Sequence, residues 1–127
     1  MLAYLLDTVI CIHALKNHNA ALFETFTTHD GRMAVSGVTL LELYYDDPAP
    51  RTAVIENVAA RLEVLPFDTR ATAHAGNIRA TLERRGQLIG AYDLMIAAIA
   101  RSQGLLLVTG NVREFERVEG LRVERWG

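Results

Sequence analysis

Short β-like segments alternate along the chain with longer helical ones, and this alternation limits the fold more than any other feature. Five segments are apolar or alternate apolar with polar residues, and several end at Gly, Pro, Asp or Ser: residues 2–6, 33–36, 62–66, 105–109 and 121–125. Strands that alternate with helices form mostly parallel sheets with helices on both faces. The sequence therefore predicts an α/β fold with a mostly parallel, five-stranded sheet.

Helices are predicted between these strands, at residues 10–16, 20–28, 39–45, 51–60, 69–85, 91–103 and 112–117. Gly86 and Gly104 follow two of them, at the position where glycine commonly ends a helix, and Pro48 and Pro50 separate the third from the fourth. No internal repeat, low-complexity tract or linker divides the 127 residues. We therefore expect a single domain over residues 1–127.

Composition excludes several classes of protein. The net charge of −2 provides no bulk positive charge for holding nucleic acid, so any such contact has to be local. The longest apolar run, residues 94–100, is too short to span a bilayer, and the first six residues lack the features of a signal peptide. Cys11 is the only cysteine, so no intrachain disulfide forms. We expect a cytoplasmic protein without a membrane partner.

Acidic and amide side chains occur where predicted strands end or helices begin. Asp7 ends the first strand, Glu42 lies in the first turn of the predicted helix after the second strand, and Asp93 lies in the first turn of helix 91–103. Asn111 follows the fourth strand. Ligands of open α/β sheets bind at the carboxyl ends of the strands. We therefore expect three carboxylates and an amide to gather at that edge.

Each of these residues also has a purely structural interpretation. Asp7 and Asn111 are typical helix caps, and Thr39 and Glu42 have the spacing of a capping box. Asp93 is harder to explain in this way, because its helix is apolar almost all round and holds no basic residue before Arg101. A carboxylate on a buried helix requires a metal ion, or an arginine from elsewhere in the fold.

Converging carboxylates repel one another, and a hard divalent cation with oxygen ligands is their natural compensation. We therefore expect Mg²⁺ or Mn²⁺. Zinc is disfavoured because the four histidines, His13, His18, His29 and His74, lack a paired helical spacing. The sequence also lacks the nucleophile elbow, the Walker loop and the dinucleotide-binding glycines. Phosphodiester hydrolysis is the reaction class that such a magnesium site favours.

Six motifs, in this order and spacing, carry a family resemblance over the whole chain: LLDT at 5–8, VTLLEL at 38–43, IRATLE at 78–83, IGAYDLMIAA at 89–98, LVTGNVREFERV at 107–118 and GLRVE at 120–124. Together they resemble the PIN-domain ribonucleases, in the VapC toxin branch of type II toxin–antitoxin systems.

This resemblance implies a three-layer α/β/α sandwich, a homodimer, and Mg²⁺- or Mn²⁺-dependent endonucleolytic cleavage of RNA that leaves a 5′-phosphate and a 3′-hydroxyl. It implies that Asp7 and Asp93 hold the metal, with Glu42 in the same acidic pocket. Asn111 occupies the place where many PIN domains carry a fourth acid, and we expect it to orient water or the scissile phosphate. Glu114 is a candidate supplementary acid.

The resemblance also implies a substrate and a partner. Relatives of this type cleave tRNA, often initiator tRNA, in the anticodon stem-loop, and a VapB antitoxin silences them by placing its C-terminal segment in the active-site groove. The RNA contacts expected in this chain are Thr8, Thr109, Arg79, Arg84, Arg85 and Arg113.

Some residues depart from the family pattern. Val9 stands where a polar residue is usual, Gly110 stands where Asn is common, and residues 45–48 replace the usual Tyr-Gly. Val9 and Asn111 motivate a second hypothesis, a PIN-like module that binds RNA or antitoxin without turnover. A third is a small α/β regulator such as a flavodoxin-like receiver, for which Lys16 is the only lysine available.

Overall fold

The computed structural model describes residues 1–16, 20–46 and 52–126. It contains five strands, β1 (Tyr4–Leu6), β2 (Met33–Ser36), β3 (Glu63–Leu65), β4 (Leu106–Val108) and β5 (Val123–Glu124). It contains seven helices in this part of the chain, α1 (Thr8–Lys16), α2 (Ala20–Thr28), α3 (Gly37–Tyr45), α4 (Thr52–Arg61), α5 (Thr69–Arg84), α6 (Ala91–Ser102) and α7 (Val112–Phe115). All five predicted strands are present, although four are shorter than predicted.

The strands form one sheet in the order β3-β2-β1-β4-β5, and every pairing in it is parallel. The central strand β1 pairs with β2 on one side and β4 on the other, with Leu5 opposite both Ala34 and Leu107. The chain thus builds outward from β1 to β3, and then returns to add β4 and β5 on the other side. The predicted α/β class is confirmed.

Two apolar cores lie on opposite faces of the sheet because successive strand residues point to opposite sides. Leu5 packs in one core with residues of α5 and α6, including Ile78, Leu82 and Ile99. Leu6 packs in the other core with residues of α1 to α4, among them Ile10 and Leu43. Helices therefore cover both faces, as the predicted three-layer sandwich requires.

The boundaries of several helices differ from the prediction. Helix α3 begins at Gly37 because Ser36, at the end of β2, accepts a hydrogen bond from the backbone N–H of Thr39 and caps the helix. The predicted capping box starting at Thr39 is therefore wrong, and Glu42 lies in the second turn of α3 instead of the first. Helix α1 begins at Thr8, two residues before the prediction, and α7 ends at Phe115, two residues before the predicted end.

Gly86 and Gly104 have φ angles of +63° and +67°, in the left-handed region that favours glycine, so both helix ends are confirmed. Pro48, Pro50 and the predicted first residue of α4, Arg51, lie outside the described residues. No helix within residues 1–16, 20–46 and 52–126 is long and apolar enough to cross a membrane.

A matched pair of leucines tests the core between α5 and the sheet. Leu82 is 1% exposed and Leu88 is 51% exposed. We expect Leu82→Ala to lower the free energy of unfolding by about 2–5 kcal/mol, because it leaves a cavity in a packed core. Leu88→Ala should cost less than about 1 kcal/mol. Urea unfolding of both variants would contradict this packing if the two losses were equal.

Candidate active site

Asp7 follows the central strand and is almost completely buried, with 2% of its surface exposed. Its Oδ1 accepts a hydrogen bond from the backbone N–H of Thr8 at 2.7 Å, and its Oδ2 accepts one from the Thr109 hydroxyl at 2.7 Å. Thr109 follows β4, so this second bond joins the carboxyl ends of β1 and β4. The acid therefore lies at the point where the strand order reverses, which is where open α/β sheets bind ligands.

Glu42 is held beside Asp7 by the residue next to Asp7 in sequence. The Thr8 hydroxyl donates a hydrogen bond of 2.7 Å to Glu42 Oε1, and the Glu42 carboxylate is close enough to contribute to the raised pKa of Asp7. Glu42 therefore does not reach back to the start of its own helix, as the capping-box interpretation required. The structure places it in the predicted acidic pocket.

Asp93 lies in the first turn of α6, as predicted, and is partly buried. Burial, followed by the negative charges of Glu114, Asp7 and Glu42, raises the pKa of Asp93 to about 7. Burial also raises the pKa of Asp7, to which Glu42 and Glu114 add, while its hydrogen bonds to Thr109 and Thr8 act in the opposite direction. Four carboxylates thus share one electrostatic site.

Glu114 connects the two sides of this site. Its Oε1 accepts a hydrogen bond from the backbone N–H of Gly90 at 3.4 Å, directly before α6, and its Oε2 accepts one from Asn111 Nδ2. Asn111 stands at the N-cap position of α7, but its side chain makes no capping hydrogen bond there. The cap interpretation of the Asn111 side chain is therefore wrong, and Glu114 joins the acids.

Within the described residues, no basic side chain forms an ion pair with Asp7, Glu42, Asp93 or Glu114. Arg101, which shares α6 with Asp93, instead donates hydrogen bonds to His74, Asn77 and the backbone of Glu119. The oxygen-only donor set and the uncompensated charge fit Mg²⁺ or Mn²⁺. The sequence left open two ways to compensate the charge of Asp93, a metal ion or an arginine, and no arginine of the described residues forms an ion pair with it.

No three His, Cys, Asp or Glu side chains of the described residues converge into a ready-made metal cage. Mg²⁺ does not need one, because it keeps several waters and is usually held by one or two carboxylates together with substrate phosphate. Cys11 is buried, and burial followed by the charge of Asp7 raises the pKa of its thiol to about 12. The raised pKa disfavours a thiolate ligand here, and the carboxylates remain the candidate ligands.

The histidines within the described residues do not join the acids through any hydrogen bond. His29 stacks on Trp126 with ring centroids 4.8 Å apart, and His74 Nδ1 accepts a hydrogen bond from Arg101 Nε at 2.9 Å. His13 is exposed on α1, and His18 lies outside the described residues. These positions agree with the argument against zinc.

A groove of about 600 Å³ opens beside the acids. Its lining combines two residues of the acidic site with apolar and aromatic ones: Thr8, Ile12, Leu41, Glu42, Tyr45, Asp46 and Tyr92. Leu41, Tyr45 and Tyr92 are 51%, 90% and 45% exposed. The acidic site is thus reached from an open surface that carries apolar side chains.

The four arginines predicted to contact RNA differ in their surroundings. Arg85 forms an ion pair with Glu119, and Arg84 contacts the Thr81 hydroxyl at 3.4 Å. Arg79 lines a smaller pocket between α5 and the start of α6, and Arg113 is exposed on α7, next in sequence to the acidic Glu114. Arg113 lies nearest to the acids in sequence, whereas Arg85 is already neutralised by a carboxylate.

The two single-residue departures at positions 9 and 110 lie next to each other. A Cβ on Gly110 would meet Val9 Cγ1 at 3.7 Å, an ordinary van der Waals distance. Val9 is 41% exposed, and no hydrogen bond of the four carboxylates involves it. Both departures therefore lie at the rim of the site.

Comparison with known proteins agrees with this geometry. The PIN-domain family model matches residues 4–121, and the tRNA(fMet)-specific endonuclease VapC of Shigella flexneri is 49% identical over 99% of both chains. The chain belongs to the PIN-domain family, in its VapC branch. This VapC-family chain is also 46% identical to Ribonuclease VapC2 of Haemophilus influenzae, over 99% of both chains.

Solved structures support the same assignment. The VapC-family chain matches a crystal structure of DNA-bound VapBC from Salmonella typhimurium with a TM-score of 0.95 and 47% identity, over the full length of both chains. It matches VapBC2 from Rickettsia felis, bound to a promoter DNA fragment, with a TM-score of 0.92 and 30% identity over 99% and 100% of the two chains. The predicted family resemblance is confirmed, and the receiver hypothesis is wrong.

The sequence did not predict that the side chains of Ser36 and Thr39 lie at the site. Ser36 and Thr39 are both fully buried, and their hydroxyls lie 3.2 Å apart. The Thr39 hydroxyl also lies 3.2 Å from the hydroxyl of Thr8, which holds Glu42. A buried serine at the end of a strand and a threonine in a helix resemble ordinary capping residues. Only their spacing, three residues apart directly before Glu42, hinted at a shared site.

The acidic site predicts a pH-dependent stability in metal-free protein. Folding raises the pKa of Asp93 to about 7, from about 3.9 in an unfolded chain, so the folded state binds this proton more tightly. Stability from this group is complete below about pH 4 and is lost as the pH rises to about 7. In EDTA at pH 8, Asp93→Asn should therefore raise the free energy of unfolding by about 1–2 kcal/mol, a value reduced for solvent screening.

The effect of Asp93→Asn should become small at pH 4, where the wild-type carboxyl is protonated. Asp30→Asn is the matched control, because Asp30 is exposed and the charge change is the same. Thermal and urea unfolding at both pH values measure the difference. A destabilised Asp93→Asn protein at pH 8 would show that the carboxylate is compensated within the protein itself.

Proposed function

We propose that this VapC-family chain is a metal-dependent endoribonuclease toxin that hydrolyses tRNA, with initiator tRNA as its substrate and the anticodon stem-loop as the region cut. The observation that carries the proposal is the group of four carboxylates, at the point where the strand order reverses, that no basic side chain of the described residues neutralises. The names of the Shigella flexneri and Salmonella typhimurium relatives, tRNA(fMet)-specific endonuclease VapC, support the substrate.

Asp7, Asp93 and Glu42 are the residues that would hold Mg²⁺ or Mn²⁺, with Glu114 as a supplementary acid. A bound ion would offset negative charge on the phosphoryl oxygens and make water more acidic. Asp7 has both oxygens oriented by hydrogen bonds from Thr8 and Thr109, so its position is fixed before a ligand arrives. Preorganised charge of this kind requires little rearrangement during the reaction.

Asn111 has a role that follows from its contacts. Its Nδ2 donates to Glu114, and its backbone N–H donates to the Thr109 hydroxyl at 2.9 Å. The side-chain carbonyl oxygen is the group that is left to accept a hydrogen bond from water. In this proposal Asn111 orients the attacking water, and attack on phosphorus releases the 3′-hydroxyl and leaves a 5′-phosphate on the other product.

A VapB-type antitoxin is the proposed partner, and a homodimer is the proposed assembly of the toxin, in the cytoplasm. Support for the antitoxin comes from the solved VapBC structures that the chain matches along its length. The groove beside the acids offers exposed apolar and aromatic side chains, which are typical of surfaces that bind protein segments. A segment in this groove would lie against Glu42 and block access to the site.

Cleavage of RNA by purified, antitoxin-free protein tests the proposed activity. We expect initiator tRNA to be cut with Mg²⁺ or Mn²⁺ and not with EDTA, and Asp7→Ala to lower the rate by at least about 100-fold, because electrostatic stabilisation at the phosphate is lost. Asp30→Ala, which removes an exposed acid, should cut like the wild type. The measurement is gel analysis of total RNA and of initiator tRNA, with mapping of the 5′ ends.

As a control, circular dichroism spectra should show that each variant is folded. Full activity in a folded Asp7→Ala protein would remove Asp7 from the catalytic machinery. Absence of cleavage by folded wild-type protein with metal, together with antitoxin binding, would favour the binding module without turnover.

A further inference from the structure

Beyond the carboxylates, we propose that Ser36, Thr39 and Thr8 form a buried chain of hydroxyl groups that positions Glu42 for the metal. Thr8 is then a positioning residue and not an RNA contact. The inference rests on the proposed function, because it assigns Glu42 to a metal site. Its test includes metal binding without RNA.

The geometry of the chain is continuous. The Ser36 Oγ lies 3.2 Å from Thr39 Oγ1, which lies 3.2 Å from Thr8 Oγ1, which lies 2.7 Å from Glu42 Oε1. Ser36 and Thr39 are 0% exposed and Thr8 is 7% exposed. Three hydroxyls from β2, α3 and α1 therefore meet in a region that is almost completely buried, and the chain ends on the carboxylate of Glu42.

The direction of every hydrogen bond in this chain is fixed by the carboxylate at its end. Ionised Glu42 only accepts, so the single hydroxyl proton of Thr8 is donated to it. Thr39 then has to donate to Thr8, and Ser36 has to donate to Thr39. The Ser36 oxygen in turn accepts from the backbone N–H of Thr39 at 2.9 Å. Each proton has one acceptor, and hydrogen bonds aligned in one direction strengthen one another.

This direction has a consequence for the RNA contacts expected from the sequence. The only proton of the Thr8 hydroxyl is committed to Glu42, so Thr8 has none to donate to a phosphate. The same applies to Thr109, whose proton is donated to Asp7 Oδ2. The two threonines thus play parallel roles, each holding one oxygen of one acid.

Glu42 needs such support more than Asp7 does. A glutamate side chain has more rotatable bonds than an aspartate, and ordering it costs conformational entropy. Glu42 is also only partly buried, at the edge of the open groove. The hydroxyl chain fixes Oε1 and leaves Oε2 as the oxygen for the metal. Removal of a group that orients a metal ligand in this way typically lowers metal affinity or activity by roughly 10–100-fold.

Substitution of Thr39 separates this role from simple packing. Thr39→Val keeps the shape and removes the hydroxyl, and we expect roughly tenfold weaker Mn²⁺ binding by calorimetry without RNA. The Mn²⁺ concentration for half-maximal cleavage of initiator tRNA should rise by a similar factor. Thr39→Ser, which keeps the hydroxyl, should restore both values. Ser102→Ala is the matched control, because it removes a buried hydroxyl at the far end of α6.

A double-mutant cycle shows whether Thr39 acts through Glu42. In a Glu42→Ala background, Thr39→Val should cause no further loss of Mn²⁺ affinity. Equal losses in the two backgrounds, or unchanged affinity in folded Thr39→Val protein, would overturn the proposal. If Thr39→Val does not fold, Thr8→Val and Thr8→Ser carry the same expectation. Wild-type protein that binds Mn²⁺ with this pattern but cuts no RNA would contradict the nuclease and support the positioning role.

Discussion

The hydrogen bond between Thr109 and Asp7 is the contact on which the site depends. It joins the carboxyl ends of β1 and β4. The strand order of the sheet reverses between these two strands. Parallel pairing aligns Leu6 with Val108, so the next residue of each strand arrives at the same edge. The sheet register thus brings together two side chains that are 102 positions apart in sequence. The acid is fixed by the same pairing that forms the core.

Concentrating acids at this edge works against folding. Burial and mutual repulsion raise the pKa values of Asp7 and Asp93, which means that the folded protein resists ionising them. The two apolar cores on either side of the sheet supply the stability that makes this arrangement tolerable. A cation that binds only the folded site would relieve the repulsion and stabilise the fold by mass action. The repulsion that opposes folding would thus also favour the binding of such a cation.

The sequence was sufficient to predict the five strands, the parallel sheet and the positions of Asp7, Glu42 and Asp93 near one edge. These features depend on local sequence patterns and on the rule that the carboxyl ends of parallel strands lie at the same edge of the sheet. It was insufficient for Ser36 and Thr39, because a buried hydroxyl has the same appearance in sequence whether it caps a helix or holds a carboxylate. It also gave no sign that Arg85 is paired with Glu119, 34 positions away. Such pairings depend on how α5 packs against a distant turn.

The departures from the family pattern are easier to understand in three dimensions. Val9 and Gly110 are far apart in sequence, yet they lie close together at the rim of the site, where a Cβ at position 110 would make an ordinary van der Waals contact with the valine side chain. The hydrogen bonds that orient Asp7 and Glu42 come from Thr8 and Thr109, which directly precede the two altered positions. Val9 and Gly110 thus lie beside the acids without taking part in the hydrogen bonds that hold Asp7 and Glu42.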